Sequence, residues 1–287
     1  MTRLLALGGA DCQRAFAKVQ GHNLHYLDSG DGPALVLMHG ASGGGGNWYR
    51  LIPSLARRWR VLAPDLPGFG FSDSIDSTAP LGHQVARLMA DWLRTLGVER
   101  ADVVGTSFGG LVALRLPQYF DVRRVVAIDS VGLTSSLPFL LRVATLPFCA
   151  RLAVAPSRTG TRLLLRRVLT ASRLPEADES ALVDYLYASA QRSDHGRLAR
   201  AFVQFAGRAG QRDVLSAEEL ARLGRRLLVV WGERDTFLPV AEVERACALA
   251  GCSAVRNIPR AGHSPNWEQP QLVLRAVEDF LSDNANS

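Results

Sequence analysis

The sequence predicts an α/β fold: a mostly parallel, eight-stranded sheet flanked by helices, with a helical cap inserted after the sixth strand. Three observations predict it. Short apolar or β-branched runs alternate with longer stretches of helical periodicity along the 287 residues, which implies parallel strands joined by right-handed crossovers. The later runs are almost continuously apolar, as strands buried on both faces are. The alternation then stops between Gly132 and about Arg225, where the pattern is helical and contains no good strand.

The elements follow in order. Ala15–Val19 and Asn23–Leu27 read as two strands joined by the hairpin turn Gln20-Gly21-His22. Ala34–His39 is the third strand and runs into a glycine-rich loop, "MHGASGGGGNW". Asn47–Arg57 reads as a helix and Arg60–Ala63 as the fourth strand. Leu81–Leu96 is helical, because Val85, Leu88, Met89, Trp92, Leu93 and Leu96 share one stripe. Strand Asp102–Thr106, helix Phe108–Pro117 and strand Arg124–Asp129 come next. The helical stretch opens with an apolar, proline-punctuated run, Leu137 to Pro156. Strand Leu227–Trp231, helix Val240–Ala250, strand Ala254–Ile258 and helix Leu272–Leu281 complete the chain. Residues 1–131 and 226–287 therefore form the expected core, and residues 132–225 the expected cap over the sheet's C-terminal edge.

Composition narrows the function. The net charge of +6 sits in residues 132–225, which hold 14 arginines against 8 acidic residues. Lys18 is the only lysine, and there is no zinc-finger pattern, aromatic RNA-binding strand or basic tail, so nucleic acid is not an expected partner. No apolar run reaches the roughly 18–20 residues that span a membrane. The N-terminal "MTRLLALGGADC" has too short an apolar stretch for a signal, and Asp11 precedes Cys12. Cys12, Cys149, Cys247 and Cys252 are scattered without a CxxC pair, which points to reduced thiols rather than disulfides or a metal framework. The expectation is a cytoplasmic monomer or homodimer with no cofactor and no metal, acting on a small-molecule ester or acyl substrate.

Reactive groups in such a sheet gather at the carboxyl ends of strands. After Val103-Val104 comes Gly105-Thr106-Ser107-Phe108-Gly109-Gly110, a G-x-S-x-G turn between strand and helix. A serine in so tight a turn has strained dihedrals, and Gly105 and Gly109 remove side chains that would collide. The Phe108 N–H, at the helix start, points with the hydroxyl and can stabilise an oxyanion.

A serine hydroxyl needs a base. Of six histidines, His22 and His25 are expected at the surface of the hairpin, His83 starts a helix, His195 lies in the inserted segment, and His39 shapes the glycine-rich loop. His263, in "IPRAGHSPNWEQP" after the last strand, can reach across to Ser107. Its orienting acid is Asp235 in "VVWGERDTFLP", with Asp129 at the end of "VVAID" as competitor and Glu233 as a local rival. The second oxyanion donor is expected from the loop after the third strand, at Ala41, with Ser42 next. Gly40, Ser42 and Ser264 are further candidates for substrate contact. Leu137, Phe139, Leu140, Leu146 and Phe148 are expected to line an apolar lid pocket. That glycine-rich loop lacks both G-K-[ST] and the dinucleotide pattern, so it is not read as a phosphate cradle.

"LMHG", "APDLPGFGFSD", "VVGTSFGGLVAL", "VVWGERDTFLPV" and "AGHSPNWEQP" together make the chain resemble the α/β-hydrolase superfamily over nearly its full length. Dehalogenases and epoxide hydrolases of this superfamily carry aspartate where this chain has Ser107. "YASAQRSDHGRL" resembles the cap of meta-cleavage-product C–C hydrolases, and that resemblance implies that Arg192, with His195 behind it, binds a substrate carboxylate. Those enzymes usually carry asparagine where this chain has Thr106, an aromatic where it has Ser264, and a G-x-G-P-G loop that is missing here. The first expectation is therefore a carboxylesterase-like serine hydrolase. C–C cleavage of a vinylogous diketo acid is the second, and a ligand receptor reusing the pocket the third.

Overall fold

The computed structural model describes residues 1–76, 80–135, 157–192, 213–236, 240–251 and 255–282. All eight expected strands form: β1 (Gln13–Val19), β2 (His22–Ser29), β3 (Ala34–Met38), β4 (Arg60–Pro64), β5 (Arg100–Thr106), β6 (Asp121–Ile128), β7 (Leu227–Gly232) and β8 (Val255–Ile258). They make one sheet in the order β1-β2-β4-β3-β5-β6-β7-β8. β2 is antiparallel to β1 and β4, and every other pairing is parallel. The first hairpin turns at Gln20 (φ 50°) and Gly21 (φ 88°), both left-handed, which matches the twist of paired strands.

The strands alternate between two cores, as a period of two residues requires. Val36, Met38, Val103, Val125, Ala127, Val229 and Trp231 face one, and Leu35, Leu37, Val104, Val126, Ile128, Leu228 and Val230 face the other. On the first side lie α3 (Leu81–Thr95) and α4 (Phe108–Arg115). On the second lie α1 (Thr2–Gly8) and α2 (Ile52–Leu55).

Two local expectations change. No continuous helix covers Asn47–Arg57. A 3₁₀ turn, Gly45–Trp48, and the single turn α2 replace it. Trp48, Tyr49, Leu51 and Ile52 are all fully buried, a consecutive burial that one face of a surface helix does not give, and Pro53 lacks an N–H. Helix α1 was not anticipated. It buries Leu4 and Leu5 and ends at Gly9, in the left-handed conformation at φ 69°.

Among the described residues between β6 and β7 there is no strand. They form α5 (Arg158–Leu164), α6 (Glu176–Arg192) and α7 (Ala217–Leu223). A capping box at Ser216 and Glu219 starts α7. After β7 come α8 (Val240–Ala250), α9 (Pro265–Glu268) and α10 (Pro270–Ser282). The chain rejoins the core at Asp213, which accepts from the buried Arg115 guanidinium at 3.0 Å and from the Gly82 N–H at 2.9 Å.

Arg115 and Asp213 are both almost completely buried. Removing one partner leaves the other charge uncompensated away from water. Arg115→Ala is therefore expected to lower unfolding stability by about 3–5 kcal/mol in urea titrations. A loss of only a few tenths would show that the pair is not buried in solution.

Candidate functional site

Ser107 lies between β5 and α4 at φ 52° and ψ −117°, the strained turn expected of it. The glycines act as the sequence suggests. A Cβ on Gly105 would collide with the Gly109 carbonyl oxygen, and one on Gly109 with the Met38 and His39 carbonyls. Gly40 lies close as well: a Cβ there would stand 3.2 Å from Ser107 Cβ and 3.8 Å from its Oγ.

His263 is buried, and both of its ring nitrogens are engaged. Nε2 is 3.0 Å from Ser107 Oγ, and Nδ1 is 2.8 Å from Asp235 Oδ2. With Nδ1–H donating to the carboxylate, Nε2 is left to accept the serine proton. The chain stitches these loops together. The Arg234 N–H donates to the Ala261 carbonyl at 2.8 Å, and the Glu233 N–H to the Ile258 carbonyl at 3.1 Å. The Glu233 side chain is exposed and Asp129 lies behind Asp235, so Asp235 is the acid that meets the imidazole.

Two backbone amides were expected beside Ser107. Phe108 is the first residue of α4, so its N–H has no partner within the helix. In the glycine-rich loop the Ser42 N–H already donates to the Gly40 carbonyl at 2.8 Å. Ala41 lies between Gly40 and Ser42 in this loop. His39 shapes this loop as expected. Its Nε2 accepts from the Leu66 N–H at 2.8 Å, and its Nδ1 lies 2.6 Å from the Gly40 carbonyl. The ring is therefore neutral with its proton on Nδ1, and burial lowers its pKa.

Several residues the sequence reading did not single out hold the loops. Asp65, fully buried, accepts from His25 Nδ1 at 2.9 Å, the Gly45 N–H at 2.7 Å and the Phe71 N–H at 2.9 Å. His25 is thus not at the surface. It is buried, with Asp65 on its ring nitrogen and Phe16 and Phe71 against its ring. Tyr185 and Ser189, on α6, bond Gly46 and Gly43 of the glycine-rich loop. Trp267 Nε1 donates to the Asn47 carbonyl at 2.9 Å. Glu268 accepts from Gly262, next to His263, and from Ala171 and Ser172 in the segment between β6 and β7. The signals were present in "PDLPG" and "HSPNWE", but as loop chemistry without periodicity.

Other candidates lie further out. Ser264 is buried at the start of α9. Arg192 is exposed at the end of α6, its guanidinium 4.4 Å from the Phe71 ring centroid. Leu137, Phe139, Leu140, Leu146, Phe148 and His195 fall outside the described residues. Burial pushes the Cys12 thiol up to about 11, a poor nucleophile. No described helix is long and apolar enough to cross a membrane.

A model of the alpha/beta hydrolase family matches residues 35–276. A 2-hydroxy-6-oxo-6-phenylhexa-2,4-dienoate hydrolase of Burkholderia cepacia is 30% identical over 274 residues, covering 91% of this chain and 91% of that protein. A bacterial membrane phospholipase A, described as a virulence factor, superposes with a TM-score of 0.80 at 25% identity, over 100% of this chain and 90% of its own. A putative lipase of Acinetobacter baumannii AYE shares the fold, with a TM-score of 0.80 at 21% identity over 96% of this chain and 93% of its own.

The buried neutral His39 links stability to pH. Its folded pKa is lowered, so the unfolded chain takes up a proton first, below about 6.5. The stability this ring provides is complete above that value and is lost as pH falls below it. Urea midpoints of wild type and His39→Gln at about pH 7.5 and 5.5 should show the steeper loss in wild type. Parallel losses would mean that His39 is protonated in the fold.

Proposed function

We propose, because the chain belongs to the alpha/beta hydrolase family, that it is a serine hydrolase cleaving carboxylic esters through an acyl-enzyme. The observation that carries this reading is the continuous chain Ser107 Oγ, His263 and Asp235, with spacings of 3.0 Å and 2.8 Å. His263 Nε2 takes the serine proton as Oγ attacks the acyl carbon. The N–H groups of Ala41 and Phe108 hold the oxyanion in the proposed assignment. His263 then protonates the departing alcohol, and a water, activated by the same imidazole, releases the acid. Asp235 stays charged and holds the ring in the tautomer that accepts from serine. Residues 132–225 serve as a cap in this reading, and Gly40, Ser42, Ser264, Leu137 and Phe139 are its candidate substrate contacts.

The second reading is C–C cleavage of a vinylogous diketo acid. The 30% identity to the Burkholderia cepacia dienoate hydrolase favours it. It asks for a carboxylate anchor, and Arg192 is the candidate. The exposed stacking of Arg192 on Phe71 weighs towards the ester reading.

Short- and medium-chain p-nitrophenyl esters, assayed beside a dienoate ring-fission product, separate the two. Ester turnover should fall by about 10³-fold or more in Ser107→Ala, the scale on which a covalent nucleophile matters. Efficient dienoate turnover with negligible ester turnover would overturn the ester reading.

Arg192→Ala gives an independent check of the anchor. Under the carboxylate role, KM rises about tenfold for carboxylate-bearing substrates alone, the worth of one charge-assisted contact. An equal loss on neutral esters would remove that role.

A further inference from the structure

Behind Asp235 lies an ionisable group that the reaction as written leaves idle. Asp129 follows β6 at φ 42°, in the left-handed region, and is fully buried. Its Oδ1 accepts from the Gly232 N–H at 2.9 Å. Its Oδ2 is buried with no donor to accept from. What it has instead is another acceptor: side-chain atoms of Asp129, Asp235 and His263 lie within 4.8 Å of one another. Two ionised carboxylates at that separation, out of water, repel strongly, and neither can donate. A single proton turns the repulsion into a charge-assisted hydrogen bond.

We propose that Asp129 keeps its carboxyl proton and donates it through Oδ2 to Asp235, so that the acid behind His263 is a two-carboxyl unit carrying one negative charge. Burial, followed by the neighbouring Asp235 charge, pushes Asp129 well above the ordinary carboxylate range, and the charge on Glu268 acts in the same direction. The negative charge belongs on Asp235 because Asp235 receives the imidazole Nδ1–H. The Gly232 N–H, bonded to Asp129 Oδ1, fixes the Asp129 carboxyl so that its other oxygen faces Asp235. Donation draws charge from Asp235, so Asp235 pulls less on the imidazole proton and its carboxylate cannot rotate. Asp129 is in this sense a positioning residue. The inference rests on reading Ser107, His263 and Asp235 as a working triad.

Infrared difference spectra of wild type against Asp129→Asn test the proton directly, without turnover. A protonated-carboxyl C=O band should be present in wild type near neutral pH and absent from the variant. The pH profile of kcat/KM supplies the second readout. Asparagine keeps both hydrogen bonds, accepting from Gly232 and donating to Asp235, so the acidic limb should hold its position within about 0.3 pH unit. Asp129→Ala removes the donor. It should shift that limb upward and lower kcat/KM about tenfold, most of which Asp129→Asn restores. If Asp129 is instead ionised, the infrared band is missing, and Asp129→Asn, by removing a negative charge beside Asp235, moves the acidic limb downward. Either result overturns the proposal. Should Asp129→Ala fail to fold, the wild-type and Asp129→Asn readouts decide alone. The band survives a failure of the esterase reading, so the two ideas fail separately.

Discussion

The site depends on one backbone conformation, Ser107 at φ 52°. A non-glycine residue held there costs on the order of 1–3 kcal/mol. The surrounding bonds over-determine it. The Ser107 N–H donates to the Ile128 carbonyl at 2.9 Å, so β6 holds it from one side. Its carbonyl accepts from Gly110 at 3.0 Å and Leu111 at 3.2 Å, so α4 holds it from the other, and from Val131 at 3.3 Å. Those bonds form only if β5, β3 and α4 approach more closely than side chains allow. Glycine at 105 and 109 permits that approach. The turn places the Ser107 hydroxyl at the C-terminal end of β5, 3.0 Å from His263 Nε2.

A fixed serine is useful only if the loops that meet it are fixed as well. The glycine-rich loop has little side-chain mass of its own, and its neighbours supply the rigidity. Asp65 takes the Gly45 N–H, His39 takes the Leu66 N–H, and Tyr185 takes the Gly46 N–H. The His263 loop is held in the same manner, by Glu268 on Gly262 and by Trp267 on Asn47. The Trp267 bond joins the two loops to each other. Movement of the glycine-rich loop is thereby coupled to movement of the His263 loop.

The sheet was legible in the sequence because its strands are bounded apolar runs with sharp ends, and the period of two shows in residues such as Val103 and Val104, which part to opposite cores. Ser107, Asp235 and His263 were legible because each follows a recognisable strand and brings the one functional group the others lack. The Asn47–Arg57 stretch misled because Asn47, Arg50, Ser54 and Arg57 are spaced like the polar face of one helix, whereas the chain is a 3₁₀ turn followed by a single helical turn. His25 misled for a related reason. A histidine in an edge hairpin reads as exposed, and nothing local announces that Asp65, forty residues on, waits to receive its proton. Residues such as Asp65 and Glu268 act through backbone N–H groups of distant loops, a role that leaves no spacing signature.

The way the loops are held also constrains how selectivity can arise. Ser107, Asp235 and His263 all belong to loops at the ends of core strands, so the reacting geometry is set by the sheet. Described residues of the segment between β6 and β7 hold the loops that carry this geometry. Tyr185 and Ser189 grip the loop that carries Ala41, Asp178 accepts from Tyr49 and Arg50 just beyond it, and Ala171 and Ser172 share Glu268 with the His263 loop. Changes in those helices can reshape what reaches Ser107, but they also pull on the proposed oxyanion donors and on the base. Ester and C–C cleavage draw on the same nucleophile and differ in when and where the proton is delivered.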